Sequence, residues 1–339
     1  MPRLLILLTA LVLALPCLAA EPTVIFLAHS NNNDRGDNPT AAMAVTFKEI
    51  VEAGGAGALK VEIFPENQLG ADAKAVELAK KGVIQMAISS VGGISRLYPL
   101  IGVIDYPFAY RRVEDAYAVF DGPFGDKLRA DIEAKSGLAV LGFGDTGGLF
   151  VITNSRRPVT GPASMAGLRI RTMGAETHRM LVRSLGAEPV TISWNHVFDA
   201  LQTGLADGQM NSVLTTRYGR LFTVQKYMTL TNHFYVPFIW TANRAFLDGL
   251  DADQRALVAR AVEEGVRASR ALAGAQSAQA LATQLPNVAI HQPTPAEMAA
   301  FREATQPPMR EFVAKTYGAE GGALLAEFLE ATKAAAKGR

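Results

Sequence analysis

One cysteine in 339 residues, Cys17, excludes every disulfide framework and every cysteine-based zinc site. Net charge is nearly absent as well. Against 33 Lys and Arg stand 32 Asp and Glu, a formal balance of +1, so the chain lacks the cationic excess on which nucleic-acid affinity rests. Charged residues make up 19% and hydrophobic residues 49%, which excludes a disordered chain and suits two domains of ordinary size. The serine elbow G-x-S-x-G, the P-loop and the D-x-D-x-D-G calcium loop are missing too. Five histidines are present (His29, His178, His196, His233 and His291), none in an H-x-x-x-H pair that would put two ligands on one helix face. Acid pairs such as Glu263-Glu264 fall inside a helical pattern, where they read as a solvated face. With no catalytic constellation, binding without chemistry is the expected class, and neither a metal nor a cofactor is expected.

What the chain does have begins with an address. Arg3 precedes an apolar run from Leu4 to Leu15, broken only by Thr9, and Leu18-Ala19-Ala20 closes the segment with small residues. These are the parts of a secretory signal peptide over residues 1–20, and the run of about 12 falls short of the ~20 residues that span a bilayer. Cleavage is expected after Ala20. Lipidation at Cys17 is the alternative, for which Pro16 is a poor fit. No later segment is apolar enough to span a membrane, so a protein exported to the periplasm and soluble there is expected.

From Glu21 onward, strand and helix patterns alternate. Thr23 to Ala28 and Met86 to Ser89 read as strands, and Leu59-Lys-Val-Glu-Ile-Phe64 alternates as a half-buried strand does. Helices are expected over Ala41 to Ala53, Ala71 to Lys81 and Ala175 to Leu185, with strands at Leu138 to Gly142, Phe150 to Thr153, Leu168 to Thr172 and Val190 to Ser193. Repeated β-α units predict parallel sheets covered by helices. Asp251 with Gln254 forms a capping pair that opens a helical pattern to about Leu285, either one helix long enough to lie across two domains or two helices broken near Gly274.

Two motifs bear on function. Gly142-Phe-Gly-Asp-Thr-Gly147 matches G-x-G-x-x-G after a strand, but the dinucleotide mechanism needs a helix to start there. The residues that follow read as a strand, so the glycines are expected to form a crossing between domains. The second is Leu168-Arg-Ile-Arg-Thr-Met173. Leu168 and Ile170 point one way and Arg169 and Arg171 the other, which puts Arg171 near the carboxyl end of the strand, where open α/β sheets bind ligands. A guanidinium there can hold a carboxylate by two parallel bonds; an ordinary surface arginine is the alternative.

Several segments together carry a resemblance. Thr153-Asn-Ser-Arg-Arg-Pro158, Gly167-Leu-Arg-Ile-Arg171, Leu185-Gly-Ala-Glu-Pro189, Phe198-Asp-Ala-Leu-Gln-Thr-Gly204 and Asp207-Gly-Gln-Met-Asn211 resemble the substrate-binding subunit of tripartite ATP-independent periplasmic (TRAP) transporters, the DctP type. Phe64-Pro-Glu-Asn-Gln-Leu-Gly70, Tyr106-Pro-Phe108 and Val224 to His233 do so as well, in order over nearly the whole chain. The resemblance implies a two-lobed periplasmic-binding-protein-like α/β fold with hinge strands and a long bridging helix. Lobe I would comprise 21–147 and 237–276, and lobe II 148–236 and 277–339. It further implies a monomeric receptor, not an enzyme, that closes on an organic acid and delivers it to small and large membrane subunits for ion-gradient-driven uptake.

Arg171 matches the family's carboxylate-clamping arginine, Asn211 the asparagine that often supports it, and Phe198 an aromatic position. His29, Gln68, Asp72, His233 and Trp240 are candidates by proximity to family cleft segments. In one departure, Gly148-Leu-Phe150 replaces the Gly-Phe-Arg of many relatives, so Phe150 stands where a second arginine would be. A monocarboxylate with an apolar or aromatic remainder is therefore expected; a C4-dicarboxylate or a sugar acid on the same receptor is the alternative. An ABC-type binding protein and an exported nucleotide-dependent oxidoreductase are the rival readings.

Overall fold

A computed structural model describes residues 21–283 and 285–338; the expected signal peptide, with Cys17, lies outside the described residues. The chain opens with β1 (Thr23–His29), α1 (Pro39–Gly54), β2 (Leu59–Phe64), α2 (Asp72–Lys80), β3 (Met86–Ser89) and a single-turn α3 (Val91–Ile94). A 3-10 turn (Pro99–Asp105) leads to α4 (Val113–Asp121), α5 (Pro123–Ser136), β4 (Leu138–Gly144) and β5 (Phe150–Asn154). Then come β6 (Arg169–Thr172), α6 (Glu176–Ser184), β7 (Glu188–Thr191), α7 (Val197–Gln202), β8 (Gly208–Ser212), α8 (Val213–Tyr218) and β9 (Tyr227–Thr229). The chain finishes with β10 (Phe238–Asn243), α9 (Arg244–Asp248), α10 (Ala252–Thr283), β11 (Ala289–His291) and α11 (Pro295–Lys337).

The strands form two sheets, one per lobe. The first has the order β2-β1-β3-β10-β4 and the second β11-β9-β5-β8-β6-β7. Both are mixed rather than parallel as the β-α repeats predict. The strands that follow β-α units do run parallel, but β10 enters the first sheet antiparallel to β3 and β4, and β5 enters the second antiparallel to β8 and β9. Those two strands arrive from the opposite lobe, so the covering helix that enforces parallel pairing is missing at each crossing.

Local chemistry places the helices. The Asn38 carboxamide accepts the N–H groups of Thr40 and Ala41, and Pro39 occupies the first turn of α1, where no N–H is needed. Asp251 and Gln254 exchange reciprocal capping bonds ahead of α10. This helix is continuous through Gly274, which settles the alternative of two helices. It lies directly on α1 because Gly265 has no Cβ; one built there would sit 2.8 Å from the Met43 carbonyl oxygen. Met43, Phe47, Val51, Leu257, Val258 and Val262 fill the layer between these helices and the first sheet, with Trp240 edge-on to Phe47 at 5.1 Å. In α11 a break at Gly318 (φ 62°) redirects the chain; beyond it, Phe328 packs against Tyr110 and Phe124, and Lys127 pairs with Glu327.

The glycine-rich loop initiates no helix: β4 passes through it straight into β5. Asp145, fully buried, accepts the N–H of Gly147 at 2.6 Å and of Gly148 at 2.7 Å, along with the Tyr117 hydroxyl. Both glycines have positive φ, and a Cβ on Gly147 would stand 2.6 Å from the Ser212 hydroxyl. The glycines therefore serve a tight crossing, not a pyrophosphate.

Candidate functional site

The parallel strands of each sheet end at the same place. In the first sheet β1, β2 and β3 deliver Ser30 and Asn31, then Asn67 and Asp72, then Ser90 and Arg96. In the second, β6, β7 and β8 deliver Arg171 and Met173, then Ile192 and Trp194, then Asn211 and Thr215. Between the two sets of strand ends lies a cavity of about 710 Å³. Carboxyl ends of parallel strands are where open α/β sheets bind ligands, and here two such edges face each other.

Arg171 is the group that gives the cavity its character. Its neighbour on the same strand face, Arg169, is neutralised: Asp207 takes its Nε at 3.1 Å and an Nη at 3.0 Å, and the Gly204 carbonyl takes that Nη too. Arg171 is 4% exposed and has no such partner. Its Nε donates to the Ile192 carbonyl at 2.8 Å, and among the described residues no carboxylate stands within ion-pair distance of its terminal nitrogens. Burial lowers its pKa to about 10, opposed by attraction from Asp72. A desolvated cation whose two terminal nitrogens bond nothing among the described residues is built to receive an anion.

Asn211 stands on the adjacent β8, in the register Arg171 to Gln209, and lines the same cavity. Its Nδ2 is bonded to the Gln209 side-chain oxygen at 2.6 Å, and its Oδ1 takes no bond from the described residues. Asp72 enters from lobe I; Ser90 saturates its Oδ2 through the N–H at 2.9 Å and the hydroxyl at 2.6 Å. Phe150 forms an apolar wall with Met173, Phe238 and Trp194, whose ring meets Tyr218 edge-on at 6.1 Å.

Thus Arg171, Asn211, Phe150 and Asp72 converge on the cavity, while the other five candidates do not line it. Phe198 packs with Ile192 and Val224 beside the Val197–Leu201 cluster. Trp240 faces the lobe I core, and Gln68 is exposed in the loop after β2. His29 and His233 are buried, and desolvation holds their pKa values down to about 4 and about 3. His233 accepts or donates through Nδ1 to the Thr231 hydroxyl at 2.7 Å. Trp194, Tyr218 and Arg96 also line the cavity, and none of them is among the candidates from the sequence. Among the described residues no group of three or more His, Cys, Asp or Glu is placed to hold a metal ion.

The lobes meet on either side of this cavity. At one side the lobe I backbone at Gly92 approaches Gly174 so closely that a Cβ would lie 3.0 Å from the Gly174 nitrogen. At the other, Arg217 of α8 pairs with Asp37 and with Gln276 of α10, whose amide reaches the Gly36 carbonyl.

Two lobes crossed by strands and a long helix, with a cationic cavity between their strand ends, define a two-lobed solute-binding protein. The chain belongs to the bacterial extracellular solute-binding proteins, family 7 (DctP), whose profile matches residues 30–316. It is 32% identical over 317 residues to the C4-dicarboxylate-binding periplasmic protein DctP of Rhodobacter capsulatus, covering 92% of each chain. To the 2,3-diketo-L-gulonate-binding periplasmic protein YiaO of Escherichia coli it is 34% identical over 223 residues, 66% of this chain and 67% of the relative. Among solved structures it is similar to the sugar acid binding protein DctPAm from Advenella mimigardefordensis in complex with galactonate: TM-score 0.86, 28% identity, covering 93% of this chain and 99% of that one. The family is one of substrate-binding receptors, not enzymes, and nothing supports the oxidoreductase reading. No described helix is long and apolar enough to cross a membrane.

Proposed function

We propose that the protein is the periplasmic receptor of a TRAP uptake system: a monomer, exported by residues 1–20, that closes on an organic acid and hands it to the membrane subunits. One observation carries the reading: Arg171 is buried at the cavity and, among the described residues, has no carboxylate partner. A ligand carboxylate on its two terminal nitrogens supplies the missing partner, and Phe150 gives the remainder of the ligand an apolar face to lie on. The bound acids of related structures, galactonate among them, support the ligand class. A single carboxylate is favoured because the position beside the wall is phenyl. The second reading, a C4-dicarboxylate, is supported by the name of the R. capsulatus relative and by Arg96, a rim cation with no ion pair among the described residues.

Capture works by population shift. The ligand touches strand ends of both lobes only when they are together, so its binding energy goes to the closed form. The lobes, divided at the crossings near residues 147 and 237, move as units. A thermal-shift screen of ligand-stripped protein against mono- and dicarboxylates, sugar acids and aromatic acids tests the reading. A hundredfold excess over Kd stabilises by about 2.7 kcal/mol, a clear rise in melting temperature. No rise with any acid would refute it.

A further inference from the structure

The two faces of the molecule differ where lobe I meets lobe II. On the face that carries α6 and α11, one apolar core runs through both lobes. Ile101 and Ile104 of the 3-10 turn in lobe I, Leu181 and Val182 of α6 in lobe II, and Phe301 and Met309 of α11 all lie buried in it. On the face of α1, α8 and α10 the apolar residues fall into separate clusters. Phe47 and Val258 belong to one in lobe I, and Val213 and Met228 to another in lobe II. The side-chain links across the cleft on that face are polar: Arg217 pairs with Asp37, and the Gln276 amide reaches the Gly36 carbonyl.

The shared core also holds a fastening between the lobes. Thr177, in the first turn of α6, donates its hydroxyl hydrogen to the Asp105 Oδ2 at 2.8 Å, and both residues are wholly buried. The His178 Nε2 stands 3.3 Å from the same oxygen. Gly102 packs so closely here that a Cβ on it would lie 2.7 Å from the Thr177 methyl carbon and 2.9 Å from the Tyr317 hydroxyl. Two further bonds run alongside. The Phe108 N–H donates to the His233 carbonyl at 2.8 Å, and the Gln306 amide of α11 donates to the Pro107 carbonyl at 2.9 Å. Parting the lobes on this face would put apolar side chains into water and take the donor from a buried carboxylate, both costly. Parting them on the other face releases Arg217 and Asp37, whose side chains are already 19% and 33% exposed and which water hydrates readily.

We propose that capture is one-sided: the Asp105–Thr177 seam is a pivot that persists in the open and closed forms alike, and the cleft opens on the Arg217–Asp37 side, by which the ligand enters. A contact present in both forms cancels from the equilibrium between them, whereas one made only in the closed form biases it. Asp105 and Thr177 are positioning residues. They hold the start of α6, and with it the Met173–Gly174 wall that follows Arg171, in a fixed place against lobe I. This pivot rests on the receptor reading above, whichever acid is bound.

Cys17, the sole cysteine, falls in the expected signal peptide, so paired spin labels can be introduced into the exported chain without competition. Double electron–electron resonance on the ligand-stripped protein compares two pairs of exposed positions. Glu49→Cys with Thr223→Cys spans the Arg217–Asp37 side, and Arg111→Cys with Arg183→Cys spans the seam. The first pair should give a broad spread of distances that shortens and narrows on adding D-galactonate, and the second a narrow one that does not change. Thr177→Val keeps the shape and removes the hydroxyl; it should lower the melting temperature and leave the first pair's distances as they were. Thr177→Ser should restore the melting temperature. Arg217→Ala should move the first pair to longer distances with no ligand present. A seam pair as broad as the first, a first pair as narrow as the seam, or a Thr177→Val protein that opens as Arg217→Ala does would overturn the pivot. Ligand-free distances that fit the pivot, with neither pair changed by D-galactonate, D-gluconate or succinate, would uphold it and count against the organic-acid reading instead.

Discussion

Replacing Arg171 by methionine keeps most of the apolar stem and removes the guanidinium. In the ligand-free protein that charge is held at a cost, because burial lowers its pKa to about 10, below the ordinary range of an arginine. Its bond from Nε to the Ile192 carbonyl, the one it makes among the described residues, is lost with it. A relieved desolvation penalty set against one vacated acceptor leaves a net change within about 1 kcal/mol, and a melting temperature within a few degrees of the native one. Binding behaves differently. Removing one side of a desolvated, hydrogen-bonded charge pair costs about 2–5 kcal/mol, which is a factor of roughly 30 to 5,000 in Kd. Arg171→Lys restores the charge without the two-pronged geometry and should recover only part of the loss.

The neighbouring Arg169 provides the control. Its guanidinium is engaged by Asp207 and Gly204, so Arg169→Ala should lower the melting temperature and leave affinity near the native value. Titration calorimetry and thermal melts on the three variants give both quantities. An Arg171→Met protein that binds its acid within threefold of native, or an Arg169→Ala protein that loses binding while remaining as stable as native, would refute the reasoning.

Other perturbations have equally definite outcomes. Arg217→Ala opens the Asp37 contact on one side of the cavity without touching the ligand, and should speed ligand release several-fold in stopped-flow; an unchanged off-rate counts against the latch. Asp145→Asn exchanges one acceptor of the Gly147, Gly148 and Tyr117 bonds for a donor, and should cost roughly 2–3 kcal/mol in urea unfolding. His29 and His233 are held neutral by burial, so their unfolded forms take up protons first as pH falls below 6.5. Stability should be full above that value and decline down to about pH 4 and pH 3, by roughly 3 kcal/mol or more per histidine. His29→Gln should flatten the melting-temperature curve between pH 6.5 and 4.

What could be read in the sequence was what one element dictates by itself. The alternation in Leu59 to Phe64 marks β2 residue for residue, and the Asp251–Gln254 pair marks the entry to α10. Arg171 was visible because its strand alternates. Direction was not: β5 and β10 run antiparallel because they cross from the other lobe, a property of the whole chain. The helices α4, α5 and α11 went unassigned, since α11 contains Pro307 and Pro308 and bends at Gly318. In the cavity, Trp240 and Phe198 carry the right chemistry and face cores, while Arg96 and Tyr218 face the space between lobes. Which aromatic faces a cleft depends on how two lobes are set against each other, and no local pattern encodes that.

The most direct measurement is a crystal structure of the receptor with the tightest acid from the titrations. The account predicts a ligand carboxylate on the two terminal nitrogens of Arg171, with the remainder between Phe150 and Trp194 and both lobes in contact with it. A carboxylate held elsewhere, on Arg96 or Arg179 with Arg171 unengaged, would contradict it.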